Sequence, residues 1–587
     1  MELLYIYINN DKRNIRGCEY NFSPNYEFSF DPKTKTFSMK THNKLPSDWF
    51  GMNITNITAI VGKNGSGKTN FLDCIVRAIC GQGGGYIFFK HDNCIYSNIS
   101  AHFTDFIFTF EVVRFYRGGS PLNSEFEEHI RDCAVTYYSS SIDRDLSSKN
   151  THYYKFKDIS NGHLLRLPIN DVGKSPQYAH LSDIDVMQTI DVFRLLLFLI
   201  YSKREGYLFI GNMKLPETIE VGLHVYSNNV STHPTYNALT TGLTEDFKDR
   251  LKYFILEQVF SICKIPDSWT SETSFEDVLL YLNRGESYRA NIYEVFSELF
   301  DNGFIKYNSG PQGLKGGHKE MRFKLNIAGI TQKVLNAIYC YYNPMPMAPF
   351  AAYSTLDEET ANGLLTLNYG VSSGERAFYT IISRMMGFIF EKQGEIHKAA
   401  EFKIINTHDF DDKTIVILLD EPDIQLHPEW QQQFIELFIL FLKQYFPRVK
   451  FQIIFTTHSP IMLSDIPKSN ILFLGRNDDG YCRVTNSQDH KETFAANIHS
   501  LYNDSFFLEG IPIGSFAKRK VEELYEKINL GRFSDNIVEE IYRIGEPILR
   551  GVLLKAYDEK RNFQNREERI RMLRNELKKL EEFGKND

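Results

Sequence analysis

The sequence predicts an α/β fold: a mixed sheet with a phosphate-loop core, split by a mixed α/β insert and followed by a C-terminal helical region. Three observations predict it. The apolar residues Ala59, Ile60 and Val61 run into a glycine-rich turn and then into the helical pattern FLDCIVRAIC. Five consecutive apolar residues in TIVILLD end in the adjacent acids Asp420 and Glu421. A third apolar run, FQIIF, is followed by TTHSP and delivers His458 just beyond its end. Short apolar runs bounded by turns read as strands buried on both faces, the pattern of parallel sheets.

The first of these stretches, residues 57–80, organises the rest. Gly62, Gly67, Lys68 and Thr69 fill the pattern GxxxxGK[ST], Asn64, Gly65 and Ser66 complete the turn, and Asn70 follows. Phosphate oxygens need several backbone N–H groups at once, and glycines let the main chain close in on them. A helix N-terminus then faces the anion. Lys68 is placed to neutralise β- and γ-phosphates, and the Thr69 hydroxyl suits a position on Mg²⁺. With a strand before it and a helix after it, the turn reads as a nucleotide site rather than an ordinary glycine turn.

The chain has 587 residues, enough for three or four domain-sized units, or fewer with insertions. Its 42% hydrophobic and 24% charged content are globular values, and a net charge of -8 gives no global bias toward nucleic acid. MELLYIYINNDKR lacks a basic leader and reads as a first strand. LLLFLI from Leu195 and FIELFILFL from Phe434 fall short of the roughly 20 apolar residues of a spanning helix. A soluble cytoplasmic protein with no membrane partner is expected. The eight cysteines (18, 74, 80, 94, 133, 263, 340 and 482) show no CxxC pair and read as reduced, mostly buried thiols.

Taken in order, residues 1–55 alternate in LLYIYI and YEFSF, the pattern of short strands in hairpins. Arg13 and Asn14 between them are turn residues or contacts to a base or ribose. GQGGGY closes the first helix, HFTDFIFTFEVVRFYR alternates as one long strand, and AVTYYSSS at 134–141 forms another. No glutamine stands where a γ-phosphate sensor is expected after it. Residues 142–349 carry no nucleotide motif and read as an insert or lid. Within it, Ile292, Val295, Phe296, Leu299 and Phe300 share one helical face before Gly303, GPQGLKGGHKE is a loop, and Met321, Phe323, Leu325 and Ile327 alternate as a strand.

The second half supplies partners for the phosphate loop. Asp420, at a strand end, is assigned to the metal with Thr69, and Glu421 to orienting or deprotonating the attacking water. Each is weighed against a merely solvated turn. His458 is placed to contact the γ-phosphate and water, against the bland reading of a structural histidine. Between loop and acids, YGVSSGERAFYTIISRMM opens a helix at Ser372, Ser373 and Gly374. That helix start offers N–H groups to an anion, and Ser372 with Glu375 has the spacing of a capping box. Both readings hold together.

These four motifs in this order resemble the ATP-binding-cassette ATPases, in the branch with the DNA-repair and chromosome ATPases and the overcoming-lysogenization-defect nucleases. VSSGE is similar to the family signature, with Val371 where leucine is usual. The resemblance implies ATP and Mg²⁺ as ligands, with Ser372, Ser373, Gly374 and Glu375 of one cassette capping ATP on the other's loop. It implies a homodimer or higher oligomer, with Asp423–Pro428 at the contact and His427 beside the other site. The cassette lobes are then 1–141 and 350–485, around the insert 142–349, with a helical region at 486–587. No heptad run long enough for a chromosome-type arm is present in the insert.

Residues 493–524 and IGEPILRGVLLKAYDE resemble the tail of the ATPase subunits of Septu-type and retron-associated antiphage systems. That resemblance implies ATP hydrolysis controlling a separate HNH-type nuclease or toxin, with DNA or retron RNA/DNA as a nucleic-acid partner. After His458 the chain offers NDDG and no D-x-D centre, so a nuclease site is expected elsewhere. The alternative is a DNA-repair ATPase binding duplex DNA directly; a transport subunit fits the split cassette and large insert poorly. At the end of the chain, Ile570, Leu573, Leu577 and Leu580 form an a/d pattern for a partner helix or for docking on its own domain. Arg566, Arg569, Arg571 and Arg574 there read as a solvated face, or as phosphate contacts.

Overall fold

The computed structural model describes residues 2–10, 14–42, 45–46, 48–79, 85–91, 93–114, 133–140, 156–164, 183–226, 233–262, 265–282, 292–308, 318–342, 365–390, 413–477, 479–485, 489–504 and 514–583. The chain divides into two compact units, residues 1–507 and 508–587.

In the first unit, β1 (Glu2–Asn10) pairs antiparallel with β2 (Arg16–Asn21), and β3 (Tyr26–Asp31) with β4 (Thr36–Thr41), as the alternation in the first 55 residues predicts. β5 (Ile54–Gly62) enters the glycine turn, and the loop helix Lys68–Ile79 leaves it. β6 (Gly85–His91), β7 (Cys94–Ser97), β8 (Ile107–Phe108) and β9 (Val113–Arg114) follow. One five-stranded sheet runs β2-β1-β6-β7-β9 and a three-stranded sheet β3-β4-β8.

The one long strand expected over HFTDFIFTFEVVRFYR is instead two dipeptide strands in different sheets, with residues beyond 114 outside the described set. Its alternation is real: Phe106, Phe108, Phe110 and Val112 pack on the cluster of Tyr5, Phe28, Phe37 and Phe88, while the residues between them are exposed. Periodicity reports which side chains are covered. Whether neighbouring backbone is free to pair is a separate matter that periodicity leaves open.

β10 (Cys133–Ser139) and β11 (Phe156–Asp158) join the central sheet. The insert contributes β12 (Phe209–Ile210), β13 (Met213–Lys214), β14 (Thr218–Tyr226), β15 (Ile305–Lys306) and β16 (His318–Asn326), and β17 (Leu365–Asn368) lies after it. β15-β16-β14-β17 form a four-stranded sheet. Met321, Phe323 and Leu325 on β16 are buried while Arg322 and Lys324 are exposed. The stripe Ile292, Val295, Phe296 and Leu299 is buried on the helix Ile292–Asp301, and Gly303, at φ +74°, closes that helix. Of the expected loop GPQGLKGGHKE, residues 310–317 lie outside the described set and the rest opens β16.

The remaining strands are β18 (Thr414–Asp420), β19 (Lys450–Thr456), β20 (Ile471–Arg476) and β21 (Cys482–Val484). The seven-stranded central sheet runs β11-β10-β18-β19-β5-β20-β21, parallel throughout except for the β20–β21 edge pair. The unbroken apolar run of β18 follows from burial on both faces. Ile415, Ile417 and Leu419 pack with Phe378 and Phe434 on one side. Val416 and Leu418 pack with Phe71, Leu72 and Ile75 of the loop helix on the other. Insert residues Phe247, Phe296 and Phe323 share the first of these cores. The molecule is thus mixed α/β, with the insert continuous with the sheet's packing. Among the described residues no helix is long and apolar enough to cross a membrane.

One buried ion pair ties insert to sheet. Arg384, 1% exposed on the helix Ser373–Phe390, donates to Asp191 from Nε (2.9 Å) and Nη2 (2.5 Å) and from Nη1 to the Ile159 carbonyl (3.0 Å) and Asn161 Oδ1 (2.8 Å). Five N–H donors on a rigid plane allow one side chain to hold a helix and a loop at once. Arg384→Leu leaves Asp191 with only the longer Arg194 Nη1 contact at 3.4 Å, and a loss of about 3 kcal/mol is expected in denaturant unfolding of the full chain. Unfolding unchanged in that variant would show the pair to be dispensable.

In the second unit, helices Ser515–Asn529, Asp535–Tyr542 and Pro547–Phe583 pack around Leu524, Ile528, Ile537, Ile541, Leu553 and Tyr557. Ile570, Leu573 and Leu577 of the a/d pattern are 41%, 53% and 58% exposed, so of the two readings, a partner helix or docking on their own domain, the second is not seen at these residues.

Candidate functional site

Strand order brings the sequence motifs together. β19 lies between β18 and β5, all parallel, so their carboxyl ends share one edge of the sheet. Register sets Asp420 opposite Thr456, and Thr456 opposite Ile60, two residues before the glycine turn. Ligand sites of open parallel sheets lie at this edge.

The turn has the backbone that its glycines predict. Gly65 and Gly67 hold φ +76° and +100°, conformations that L side chains rarely adopt. Gly62 is required by crowding: a Cβ there would lie 2.4 Å from the Leu474 carbonyl oxygen on β20 and 2.6 Å from Ser66 Oγ. Asn64 is exposed at the tip, whereas Ser66 is buried and its Oγ has no hydrogen-bond partner. Lys68 Nζ donates to the Gly62 carbonyl at 3.2 Å. Burial pulls the Lys68 amine below its ordinary value, against the opposing pull of Glu421, Asp420 and Asp423.

Two braces on this turn are not visible as motifs. Arg476, at the end of β20, donates from Nε to the Gly65 carbonyl at 2.7 Å. Asn14 Oδ1 accepts from Asn70 Nδ2 at 2.8 Å, and Asn14 Nδ2 stands 2.8 Å from where a Gly67 Cβ would be. Asn14 therefore supports the loop from below, a use that neither the turn reading nor the ribose reading anticipates. Arg13 lies outside the described residues.

Asp420 is the meeting point. It is buried, and its Oδ2 accepts from Thr69 Oγ1 (3.0 Å) and Tyr137 Oη (3.3 Å) while Oδ1 accepts from Thr456 Oγ1 (2.6 Å). Burial raises its carboxyl above the ordinary range, and the hydroxyls of Thr456, Thr69 and Tyr137 oppose that. Glu421 sits at φ +48°, a rare conformation for a side-chain-bearing residue, with its N–H bonded to Thr456 Oγ1 at 2.9 Å. This turns its carboxylate toward His458, Oε1 to Nε2 3.4 Å. The His458 contact holds the Glu421 carboxyl below its ordinary value.

The loops after the acids and after His458 are tied by Gln431. Its Nε2 donates to the carbonyls of Leu426 (2.9 Å) and Asp423 (3.3 Å), and its Oε1 accepts from Ser459 Oγ at 2.7 Å. Asp423 is buried with Oδ1 unpartnered, and burial raises its carboxyl, while Ile424 beside it is 65% exposed. His427 caps the helix Pro428–Tyr445, its Nδ1 accepting from the Glu429 N–H at 3.4 Å.

The signature segment belongs to other elements. Ser372 and Glu375 form the reciprocal capping box, Ser372 N to Glu375 Oε2 2.7 Å and Glu375 N to Ser372 Oγ 3.2 Å, and Ser373 is exposed beside them. Gly374 is buried, and a Cβ there would lie 2.5 Å from Trp430. The helix Ser373–Phe390 packs on the helices Asp183–Arg204 and Pro428–Tyr445, whereas the loop helix packs on β5, β6 and β18.

This donor set suits a small hard cation. Among the described residues no three His, Cys, Asp or Glu side chains gather to hold a metal. One hydroxyl and one carboxylate, Thr69 and Asp420, fit Mg²⁺, which keeps most of its shell as water and phosphate oxygen.

Comparison with known proteins gives partial matches. Residues 382–463, which include Asp420, Glu421 and His458, match a family described as an AAA ATPase domain. The Septu protein PtuA of Bacillus thuringiensis is 34% identical over 120 residues, covering 20% of this chain and 26% of that protein. The Septu protein PtuA of Bacillus mycoides is 31% identical over 92 residues, covering 16% of this chain and 12% of that protein. The matched stretches thus span about a quarter or less of these relatives. Part of the chain is thus similar to an AAA ATPase domain and part to PtuA.

Gly62→Ala and Gly65→Ala separate the two uses of glycine. The first forces a methyl against backbone and is expected to abolish nucleotide binding and lower thermal stability. The second strains φ and pushes aside the Arg476 tip that braces the turn, a smaller cost of about 1–2 kcal/mol. Calorimetric titration with ATP and thermal melts of both variants check this ordering.

Proposed function

We propose that this chain is a cassette-type ATPase that dimerises on ATP and controls a separate HNH-type nuclease or toxin in Septu-like or retron-associated antiphage defence. The observation that carries the reading is Asp420 bridging Thr69 of the phosphate loop and Thr456 of β19, with the Glu421–His458 pair beside it. Partial matches to PtuA support the defence setting.

In this reading Gly65, Ser66, Gly67 and the start of the loop helix cradle the phosphates, and Lys68 leaves the Gly62 carbonyl for the β- and γ-phosphates. Thr69 and Asp420 would hold Mg²⁺, which would supply charge neutralisation for the phosphates. Glu421, kept ionised by His458, accepts a proton from the attacking water, and His458 reports the state of the γ-phosphate. Ser372, Ser373, Gly374 and Glu375 cap the nucleotide of a second molecule. Their exposed hydroxyls, and exposed Ile424 after the acids, suit a surface completed by another copy.

Glu421→Gln is expected to lower ATP hydrolysis roughly a hundredfold or more and to trap an ATP-bound dimer, read by phosphate release and by mass in solution. Hydrolysis at the parent rate would remove Glu421 from the mechanism. The pH profile gives a second check. A carboxyl held low works as a base down to a lower pH than an ordinary glutamate, so activity is lost only as pH falls through that depressed value. His458→Ala releases it, and the acid limb is expected to move up in pH; a limb that stays put contradicts the pairing.

A further inference from the structure

The last helix, Pro547–Phe583, is packed only over its first part. Leu553 and Tyr557 belong to the second unit's core, and then every residue from Asp558 to Lys578 is exposed. The exposed side chains are not uniformly polar. Phe563, Ile570 and Leu577 recur every seven residues, with Leu573 between the last two, and they are 61%, 41%, 58% and 53% exposed. In heptad terms Phe563, Ile570 and Leu577 are a positions, and Arg566 and Leu573 are d positions, with position 580 continuing the d series.

The flanking charges decide what covers this seam. Glu567 and Arg574 occupy e, and Arg569 and Glu576 occupy g. Among the described residues the ion pair of this helix is Lys555 Nζ to Glu559 Oε1, 3.9 Å, upstream of the seam; Glu567, Arg569, Arg574 and Glu576 have none. In a parallel pair of identical helices each g faces the e five residues on, which sets Arg569 against Arg574 and Glu576 against position 581, also glutamate. Both are repulsive. In an antiparallel pair g faces g and e faces e. With Ile570 of one copy across from Leu573 of the other, Arg569 faces Glu576 and Glu567 faces Arg574, each twice by symmetry. All four contacts are attractive. In that same register Arg566 lays its aliphatic stem over Leu577, a polar layer of the kind that fixes register.

We propose that a second copy of this chain covers the seam, its last helix pairing antiparallel about a two-fold axis between residues 571 and 572. This contact is separate from the phosphate loop and the signature segment, so it does not require nucleotide.

The full-length protein without nucleotide tests it, by sedimentation over a concentration series. Leu573→Glu with Leu577→Glu, both exposed and free of the unit's core, is expected to halve the mass of the parent assembly without change in circular dichroism. Arg569→Glu alone makes two of the four charge contacts repulsive and is expected to weaken association by roughly tenfold. Arg569→Glu combined with Glu576→Arg restores the complementarity and the parent affinity. Association strengthened by Arg569→Glu overturns the antiparallel arrangement, since a parallel pair gains from that change. Equal mass for the parent and the double glutamate variant overturns the proposal outright, as does a parent that is monomeric at all concentrations and engages this helix only with a different protein.

Discussion

One buried carboxylate fixes the geometry of the site. Asp420 accepts hydrogen bonds from Thr69, Tyr137 and Thr456, which come from the loop helix, β10 and β19. A carboxylate removed from water is costly unless its lone pairs are used, so the three hydroxyls and the acid define one another's positions. Thr456 passes the constraint on, since its oxygen also receives the Glu421 N–H. The unusual backbone of Glu421 then aims its side chain at His458. Placement of the proposed base follows from the placement of the proposed metal ligand.

The strongest local patterns in the sequence were those with a backbone reason. Gly65 and Gly67 are glycine because of φ, and the apolar run of β18 exists because both faces are buried. Such demands leave a signature at fixed spacing. The braces do not: Arg476, Asn14, Tyr137 and Gln431 reach the site through strand order and register, and each is an ordinary residue in an ordinary context until the sheet is assembled. Gly374 shows a related limit. Its spacing was read for an anion, but in the fold its missing side chain makes room for Trp430. The strand expected from the aromatic alternation around Phe106–Phe110 broke for the same reason, because burial and backbone pairing are set by different neighbours.

The stretch between β10 and β17 packs as part of the first unit. β17, which leads into the Ser372–Glu375 turn, is paired along β14, and Tyr369 Oη donates to the Val192 carbonyl at 2.7 Å. Nine residues along the helix from Glu375, Arg384 grips Asp191 of the insert. The helix that the signature segment opens and the insert's sheet share one packed core, on the face of the central sheet opposite the loop helix.

The spacing between Thr69 and Asp420 also governs when the site can exist. They are 351 residues apart, and Arg476 is further still. At a synthesis rate of about 5–20 residues per second, the glycine turn leaves the ribosome roughly 20–70 s before the carboxylate that anchors it. During that interval β5 lacks both of its sheet neighbours, β19 and β20. A nascent chain thus exposes the phosphate-binding sequence long before it has a site, and interrupted synthesis anywhere before β20 yields a protein in which the turn is present without its Arg476 brace.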